Sequence, residues 1–401
     1  MDQDEGKAAL VKAAEEFLAA AKSFDGDQLA RMSLTKQADN LRYLSEDAFG
    51  TIYRQWDSIH LTAALDVLVS TGVLQKIPNE GNIGAKELAE AVDLDESVVQ
   101  RTMRVICAQG IGLEPMPDVY AHNDKSLAYT TGPSKWFFKC LIDQDFAFKQ
   151  LPRYLQTHSK EDLLDRKKSP YAFAHKMEGK TYYEVISADP DRLEMFNQTL
   201  VQMDEAMPVL GMFPFSSLQS QVEAEPDRPF IVDIGGGFGR VLKSIQQEAP
   251  AGFGADMILQ DRPDVIDAIP QDSIPNVTKM THDFFTPQPV KNAHLYLLRR
   301  ILHDFYEPDC IEIVKNIASS MGPTSRLLIG DFVVPEKTHI GDDFMIYWMD
   351  FSMMMLTGKE KTAKQFEMIL DAGGLELVQI HPFAFGSQSI VEAKLKSNGD
   401  K

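Results

Sequence analysis

The second half of the chain alternates short apolar segments with helical patterns, and this alternation restricts the fold more than any other feature. The segment FIVDIGGG is an apolar run that ends in glycines, and RVLKSIQQEAP after it has a helical pattern. Further segments of these two kinds are ADMILQD, HLYLLRRIL, CIEIVKNIASSMG, SRLLIGDFVV, TAKQFEMILDAGG and SIVEAKL. Strands that alternate with helices favour a parallel sheet covered on both faces. We predict a doubly wound, Rossmann-like α/β domain over residues 223–401.

The N-terminal part has a different pattern. Residues 1–140 contain an Ala-rich helix near the start, two short helices around a turn at 93–97, and a hairpin. Helices followed by a hairpin are typical of winged-helix modules, which often bind DNA. The second helix offers only Arg101 and Arg104 among acidic residues, so DNA binding is disfavoured. We predict a helical, winged-helix-like domain that forms a homodimer, because its apolar helix faces exceed what so small a domain buries.

A helical region connects these two parts. Residues 141–222 carry many aromatic side chains, most of them expected in the core and a minority expected to line a substrate pocket. The segment QVEAEPDRP, residues 221–229, is polar, contains two prolines and has no apolar period. It predicts a linker before the α/β domain.

Composition limits the partners and the compartment. The chain of 401 residues has 40 basic and 59 acidic residues, a net charge of −19 that repels phosphate backbones and disfavours nucleic acid. Its three cysteines form no CxxC pair, which favours a reducing, cytoplasmic environment over disulfides or structural zinc. No apolar run approaches the roughly 20 residues that span a bilayer, so no membrane partner is expected.

The glycine loop VDIGGGFGRVL follows the first strand of the α/β domain. Its glycines at 235, 237 and 239 permit a sharp turn and a close approach of the backbone to a ligand. A dinucleotide-binding loop would have Gly or Ala at position 240, where Arg240 stands, so NAD is disfavoured. No Gly-Lys-Ser/Thr sequence follows this loop, which excludes a P-loop here.

Two acidic residues add an adenosine site to the loop. Asp261 ends the next strand, where a carboxylate can accept both hydroxyl protons of a ribose. In the segment HDFF, Asp283 is suited to an adenine amino group and Phe284 to the face of the ring. An adenosine-containing ligand without a pyrophosphate fits this set best.

The segment LLRRILHDF places His303 and Asp304 after an apolar strand. A lone His-Asp pair in this position is usually structural. The alternative is a general base at the carboxyl edge of the sheet, where ligands of doubly wound folds bind. We find no cluster of His, Asp and Glu with metal-ligand spacing, so no metal is expected.

Five segments in order, VDIGGGFGRVL, LQDRPDVI, HDFF, LLRRILHDF and GKEKT, resemble the plant and fungal S-adenosylmethionine-dependent O-methyltransferases. The resemblance extends over about residues 50–395 and includes the dimerisation region. It implies S-adenosylmethionine as cofactor and a hydroxyl of a small secondary metabolite, a phenol or an enol, as methyl acceptor. The cofactor residues that it implies are Gly235 and Gly237 at the methionine end, Asp261 at the ribose, Asp283 and Phe284 at the adenine, and Arg299 nearby.

The resemblance also assigns the catalytic roles. His303 matches the general base, Glu360 a carboxylate that positions it, and Asp331 a second carboxylate that is usually glutamate. A neutral imidazole can remove the proton of a phenol as the oxygen attacks the electrophilic methyl group, and carboxylates orient it. Met353, Met354 and Met355 are candidate pocket residues, because methionine adapts to flat aromatic ligands, although core packing is the commoner role.

A second activity shares the same cofactor motifs. Some fungal proteins of this fold resemble methyltransferases and hold S-adenosylmethionine as a fixed positive charge while they dehydrate or cyclise polyketide-type substrates, without methyl transfer. Such a pericyclase needs no base, so the presence of both His303 and Glu360 favours methyl transfer.

Overall fold

The computed structural model describes residues 3–270, 273–384 and 386–396. The chain forms two compact units. One consists of Met1–Lys149 and Ile186–Ala206, and the other of Gln150–Val185 and Met207–Lys401. The three regions predicted from the sequence remain a prediction.

The described helices and strands are numbered in chain order. The helices are α1 Gln3–Lys22, α2 Gln28–Ser45, α3 Ala48–Ser70, α4 Val73–Lys76, α5 Ala85–Val92, α6 Glu96–Ala108, α7 Asp124–Leu127, α8 Gly132–Thr157, α9 Pro170–Ala174, α10 Tyr182–Ser187, α11 Pro190–Ala206, α12 Gln219–Ala224, α13 Arg240–Ile245, α14 Pro263–Ala268, α15 Glu307–Ala318, α16 Phe344–Met355 and α17 Ala363–Ala372. The strands are β1 Ile83–Gly84, β2 Leu113–Met116, β3 Val119–Ala121, β4 Ile231–Ile234, β5 Met257–Asp261, β6 Val277–Thr281, β7 Leu295–Arg299, β8 Arg326–Val334, β9 Lys361–Thr362, β10 Leu375–Pro382 and β11 Gln388–Leu395.

The first unit contains the predicted helix pair and hairpin. Helix α5 ends at Asp93, which has a left-handed backbone, and Asp95 caps α6 by accepting a hydrogen bond from the Ser97 N–H at 2.9 Å. Strands β2 and β3 form the antiparallel hairpin, and β1 adds to β3 as the third strand. The predicted helix pair and hairpin are therefore present, and the winged-helix assignment and the role in dimerisation remain predictions.

The second unit is built on one large mixed sheet. Its strand order is β10-β11-β8-β7-β4-β5-β6, with the short β9 paired to β8. Strands β4 to β8 are parallel, as predicted, and side chains of β4 are buried on both faces. The carboxyl ends of these parallel strands therefore meet at one edge, as the α/β prediction required.

Three details of the prediction were wrong. The sheet is not wholly parallel, because β10 and β11 follow each other without a crossover helix and pair antiparallel at one edge. Strands β6 and β10, with the sequences VTKMT and LELVQIHP, were not predicted, since neither is a continuous apolar run. The predicted linker at 221–229 is helical in its first part, where α12 buries Val222.

Candidate active site

The glycine loop turns through left-handed backbone conformations. Gly235, Gly237 and Gly239 have φ of 70°, 56° and 69°, which side chains other than glycine rarely adopt. A Cβ on Gly235 would lie only 2.6 Å from Cδ1 of Ile301, so this position needs glycine for space as well. A Cβ on Gly237 would meet nothing within 4 Å, which leaves the backbone there open to a ligand.

Asp261 lies beside this loop at the end of β5. Its Oδ2 accepts a hydrogen bond from the Gly237 N–H at 2.8 Å, and its Oδ1 accepts one from the Arg262 N–H at 2.7 Å. The carboxylate is thus fixed by the backbone, while each oxygen retains a second lone pair. It is only partly buried, so those lone pairs are suited to hydroxyl groups of a bound sugar.

The predicted adenine residues follow β6. Asp283 is exposed, and its Oδ1 accepts a hydrogen bond from the Phe285 N–H at 3.0 Å. The Phe284 ring is half-buried and would lie 3.7 Å from a Cβ on Gly235, so it borders the glycine loop. The structure brings these predicted residues to the same edge of the sheet.

Arg299 ends β7, close to the same edge. The aliphatic part of its side chain packs against Gly330. A Cβ on Gly330 would lie 3.2 Å from Cγ of the arginine. Its guanidinium donates a hydrogen bond to the carbonyl oxygen of Met207. The guanidinium therefore holds the chain after α11 against the end of β7, a contact that the sequence did not predict.

His303 lies in a short 3₁₀ turn, Leu302–Asp304, that follows β7. It is 8% exposed, and Glu360, at 2% exposed, lies beside it. A 2.9 Å hydrogen bond joins His303 Nδ1 to Glu360 Oε1. When the ring is neutral, this contact places the proton on Nδ1 and the lone pair on Nε2, the arrangement that a base requires.

Charge around the ring sets its proton affinity. Burial by itself would lower the pKa of His303, but the carboxylates of Glu360, Asp304 and Asp331 together raise it to about 9. Asp331, on β8, is 2% exposed, and neither of its carboxylate oxygens has a hydrogen-bond partner among the described residues. Burial raises the pKa of Asp331 to about 7 against the pull of the imidazolium. Sequence analysis placed Glu360 and Asp331 beside His303 only by resemblance, whereas Asp304 is its neighbour in the chain.

Two further residues at this site were not singled out from the sequence. Lys361 is fully buried, and its Nζ donates to the carbonyl oxygens of Leu302 at 2.5 Å, Phe305 at 2.6 Å and Lys359 at 2.6 Å. Three carbonyl acceptors require an ammonium, because a neutral amine has only two N–H groups. Nothing local marks this residue, since lysine is normally exposed.

The segment before Lys361 also holds the His303 turn. The Lys359 N–H donates to the carbonyl oxygen of His303 at 2.7 Å. A Cβ on Gly358 would lie 3.0 Å from Cα of Asp304 and nearer still to the His303 carbonyl, so glycine alone permits this approach. We call Gly358–Lys361, packed against residues 302–305, the lysine clamp.

Tyr183, on α10, is the second residue. Its hydroxyl donates to Asp304 Oδ2 at 2.5 Å, and Asp304 Oδ1 lies 3.5 Å from His303 Nε2. The sequence placed Tyr183 among many aromatic residues of a helical region, with no feature that separated it from the others.

The three methionines lie at the carboxyl end of α16, just before the lysine clamp. Met353 and Met355 are buried at 9% and 3% exposed, and Met354 is half-buried. The Met353 carbonyl accepts a hydrogen bond from the Gly358 N–H at 2.8 Å. Their position beside the clamp is compatible with a pocket, and their role in substrate binding remains a prediction.

Neither a metal-binding cluster nor a membrane-spanning helix occurs among the described residues. Over the described part of the chain, no group of three or more His, Cys, Asp or Glu side chains is arranged to hold a metal ion. In the same residues, no helix combines the length and the apolar character needed to cross a bilayer.

A glycine loop, a strand-end carboxylate and a buried histidine at one sheet edge define a nucleoside-binding α/β enzyme. The family model for the O-methyltransferase domain matches residues 157–376. The O-methyltransferase hmp5 of Hypomyces subiculosus is 42% identical over 392 residues, 96% of this chain and 98% of that protein. The chain therefore belongs to the S-adenosylmethionine-dependent O-methyltransferase family, and the predicted family and cofactor are confirmed.

Two solved structures are similar along nearly the whole chain. OxaC in complex with SAH and oxaline has a TM-score of 0.81 at 28% identity, over 98% of this chain and 100% of that one. A structure described as a pericyclic reaction enzyme has a TM-score of 0.82 at 25% identity, over 97% of this chain and 99% of that one. Proteins similar to this chain thus include one named as an O-methyltransferase and one described as a pericyclic reaction enzyme.

Proposed function

We propose that this enzyme methylates a phenol or enol hydroxyl of a small secondary metabolite, with His303 as the general base. The observation that carries the proposal is the Glu360–His303 pair, buried at the sheet edge that also holds the glycine loop. Nδ1 is committed to Glu360, so Nε2 is the nitrogen left to take a proton. The relatives named O-methyltransferases support the reaction class.

The residues at the edge of the sheet fit the cofactor. Gly237 presents open backbone, Asp261 presents oriented oxygens for the ribose, and Phe284 presents a ring beside Gly235 for the adenine. Bound S-adenosylmethionine supplies an electrophilic methyl group on a positively charged sulfur. Asp283 and Arg299 complete the proposed cofactor set, Asp283 toward the adenine and Arg299 by fixing the chain at Met207.

The chain's own residues manage the acceptor proton. His303 Nε2 takes the hydroxyl proton as the acceptor oxygen becomes methylated, which leaves an imidazolium. Glu360 stabilises that cation through Nδ1, and Asp331 adds a second buried carboxyl group. Because the pKa of His303 is raised to about 9, the neutral ring becomes more abundant as the pH rises toward that value. We expect kcat/KM to rise with pH over this range.

Asp261→Ala tests the cofactor site. The variant should bind S-adenosylmethionine and S-adenosylhomocysteine more weakly by about 1.5–3 kcal/mol, the value of charge-assisted hydrogen bonds. Titration calorimetry without added metal measures both affinities. Asp264→Ala is the control, because that exposed residue binds the Arg262 side chain. Unchanged affinity in Asp261→Ala, or tight binding of NAD, would contradict the assignment.

A SAM-bound pericyclase or dehydratase acting on a polyketide-type substrate is the second candidate. A histidine whose pKa is about 9 is mainly protonated at neutral pH and can donate a hydrogen bond to a substrate. The similar pericyclic reaction enzyme supports the same alternative. Mass spectrometry of products from phenolic and polyketide substrates separates the two. A gain of one methylene indicates methyl transfer, whereas an isomer, or loss of water, without S-adenosylhomocysteine indicates the alternative.

We also propose a homodimer through the N-terminal region. On α3, Phe49, Ile52, Tyr53, Trp56 and Ile59 lie on one helix face, and each is at least 57% exposed. A continuous apolar stripe of this kind marks an interaction surface. The supporting argument for a second copy is that the resemblance includes the dimerisation region of the family.

Trp56→Asp is expected to convert the dimer to a monomer, because a carboxylate cannot be buried unpaired in an apolar interface. Sedimentation velocity at micromolar concentration measures the state of both proteins. Ser58→Asp, on the opposite face of α3, should remain dimeric. A monomeric unmodified chain would refute the proposal.

Surface charge and free cysteines bear on the partners and the compartment of the protein. The acidic surface supports a small-molecule substrate and no nucleic-acid partner. The free cysteines Cys107, Cys140 and Cys310 support a reducing compartment, which we propose to be the cytoplasm.

A further inference from the structure

His303 has a carboxylate near each ring nitrogen, but the two contacts differ. Glu360 is hydrogen-bonded to Nδ1 at 2.9 Å, whereas Asp304 Oδ1 stands 3.5 Å from Nε2, beyond normal hydrogen-bond length. The other oxygen of Asp304 accepts the hydroxyl of Tyr183 at 2.5 Å. The carboxylate next to Nε2 is therefore already engaged elsewhere.

The 3.5 Å distance between His303 Nε2 and Asp304 Oδ1 leaves Nε2 free of a strong hydrogen bond, as a base requires. An imidazolium and an adjacent carboxylate attract each other strongly at low exposure, and a charge-assisted bond between them would have a length of about 2.7–2.9 Å. Such a bond would occupy the nitrogen that must accept the substrate proton. Asp304 is the next residue in the chain, so a change of its side-chain torsions is enough to bring it closer.

We propose that Tyr183 is a positioning residue that holds Asp304 away from His303 Nε2 and so keeps this nitrogen open to the acceptor hydroxyl. This inference rests on the proposed function for the role of Nε2. It goes further by assigning a role to a tyrosine that lies 121 positions before Asp304 in sequence.

The surrounding charges keep Tyr183 a hydrogen-bond donor. Partial desolvation of Tyr183, which is 37% exposed, and the adjacent Asp304 carboxylate raise the pKa of its hydroxyl above the usual value, and the opposing effect of Arg300 is smaller. The groups that face His303 are Glu360, Asp304 and Asp331, with Lys361 acting on Asp331. Removing the Tyr183 hydroxyl leaves these charges in place and frees only the Asp304 carboxylate to turn toward Nε2.

The test is an NMR titration of the full-length protein carrying labelled histidine. The chain has nine histidines, and the signal lost in His303→Ala identifies the one of interest. In Tyr183→Phe the pKa of His303 should rise by about one unit, as expected for a direct opposite charge. In Asp304→Asn it should fall, and adding Tyr183→Phe to that variant should have no further effect. Tyr347→Phe, which removes a hydroxyl bonded to Asp342 at 2.8 Å, should leave it unchanged.

Activity gives an independent measurement. Tyr183→Phe should reduce kcat about tenfold at neutral pH, with the loss recovered at high pH and the affinity for S-adenosylmethionine retained. An unchanged His303 pKa in a folded Tyr183→Phe variant, or a loss of activity equal at every pH, overturns the proposal. The titration needs no turnover. If His303 titrates as expected but no acceptor is methylated, the proposed function fails while the positioning role of Tyr183 stands.

Discussion

Replacement of His303 with alanine is expected to reduce turnover about 10²–10⁴-fold, the usual contribution of a positioned general base. Affinity for S-adenosylmethionine should remain nearly intact, because Asp261 and Asp283 lie on other strand ends. Initial rates at saturating cofactor and calorimetry measure the two quantities. Glu360→Gln should lose less activity, as expected of a residue that orients the base. His339→Ala, an exposed histidine of the same unit, is the matched control.

The pH dependence separates a base from a structural histidine. The inflection of kcat/KM at about pH 9 should disappear in His303→Ala, since the group that titrates there has been removed. The deficit should also shrink as the pH approaches the pKa of the acceptor, which then ionises without help. A structural role predicts instead that stability and cofactor binding fall together while the folded fraction stays active. A stable, fully active variant would falsify the assignment of His303 as base.

The raised pKa of His303 also makes the stability of the folded protein depend on pH. The folded-state pKa of His303 lies above the ordinary value of 6.5, so its contribution to folding is fully present below that value. The contribution is lost as the pH rises through about 9. His303→Ala should therefore show a smaller decline in unfolding free energy between pH 6.5 and 9 than the unmodified protein.

The central part of the fold could be predicted because its signals are local. Strand β4 is apolar at nearly every position and is followed directly by glycines, and Asp261 ends the next strand. Such a pattern reflects burial on both faces of a parallel sheet. Strands β6 and β10 escaped prediction because they lie at the sheet edges, where most positions of VTKMT and LELVQIHP are only partly buried or exposed.

The candidate site was predictable only where a residue type is unusual in its position. A histidine after a buried strand and an acid at a strand end attract attention. Lys361 and Tyr183 do not, because their contacts with the His303 turn span 59 and 121 residues of sequence. Only the tertiary structure shows that a common surface residue and one tyrosine among many meet the same turn.

Loss of the Lys361 ammonium from the lysine clamp is expected to lower the stability of the protein substantially. In Lys361→Met, the carbonyls of Leu302, Phe305 and Lys359 lose a charged donor, and the first two of these contacts are buried. An unsatisfied buried acceptor costs about 1–3 kcal/mol. Cys310 still contacts two of the three, with Sγ 3.3 Å from Leu302 O and 3.5 Å from Phe305 O, so part of the loss is offset. We expect unfolding free energy to fall by about 2–4 kcal/mol, measured by urea denaturation.

The clamp also makes a prediction for catalysis, which a purely structural lysine would not share. Lys361 joins the backbone on both sides of His303 to the segment that carries Glu360, so its loss should lengthen the average Nδ1–Glu360 contact. The pKa of His303 should then fall toward its usual value, and kcat should decrease more than the affinity for S-adenosylmethionine. Lys359→Met is the control, because its ammonium is partly exposed and pairs with Glu307, a contact worth under about 1 kcal/mol. A Lys361→Met protein with normal stability contradicts the clamp. If it is destabilised but keeps the His303 pKa and kcat of the unmodified protein, Lys361 supports the fold alone and the geometry of the base is set by Glu360 without it.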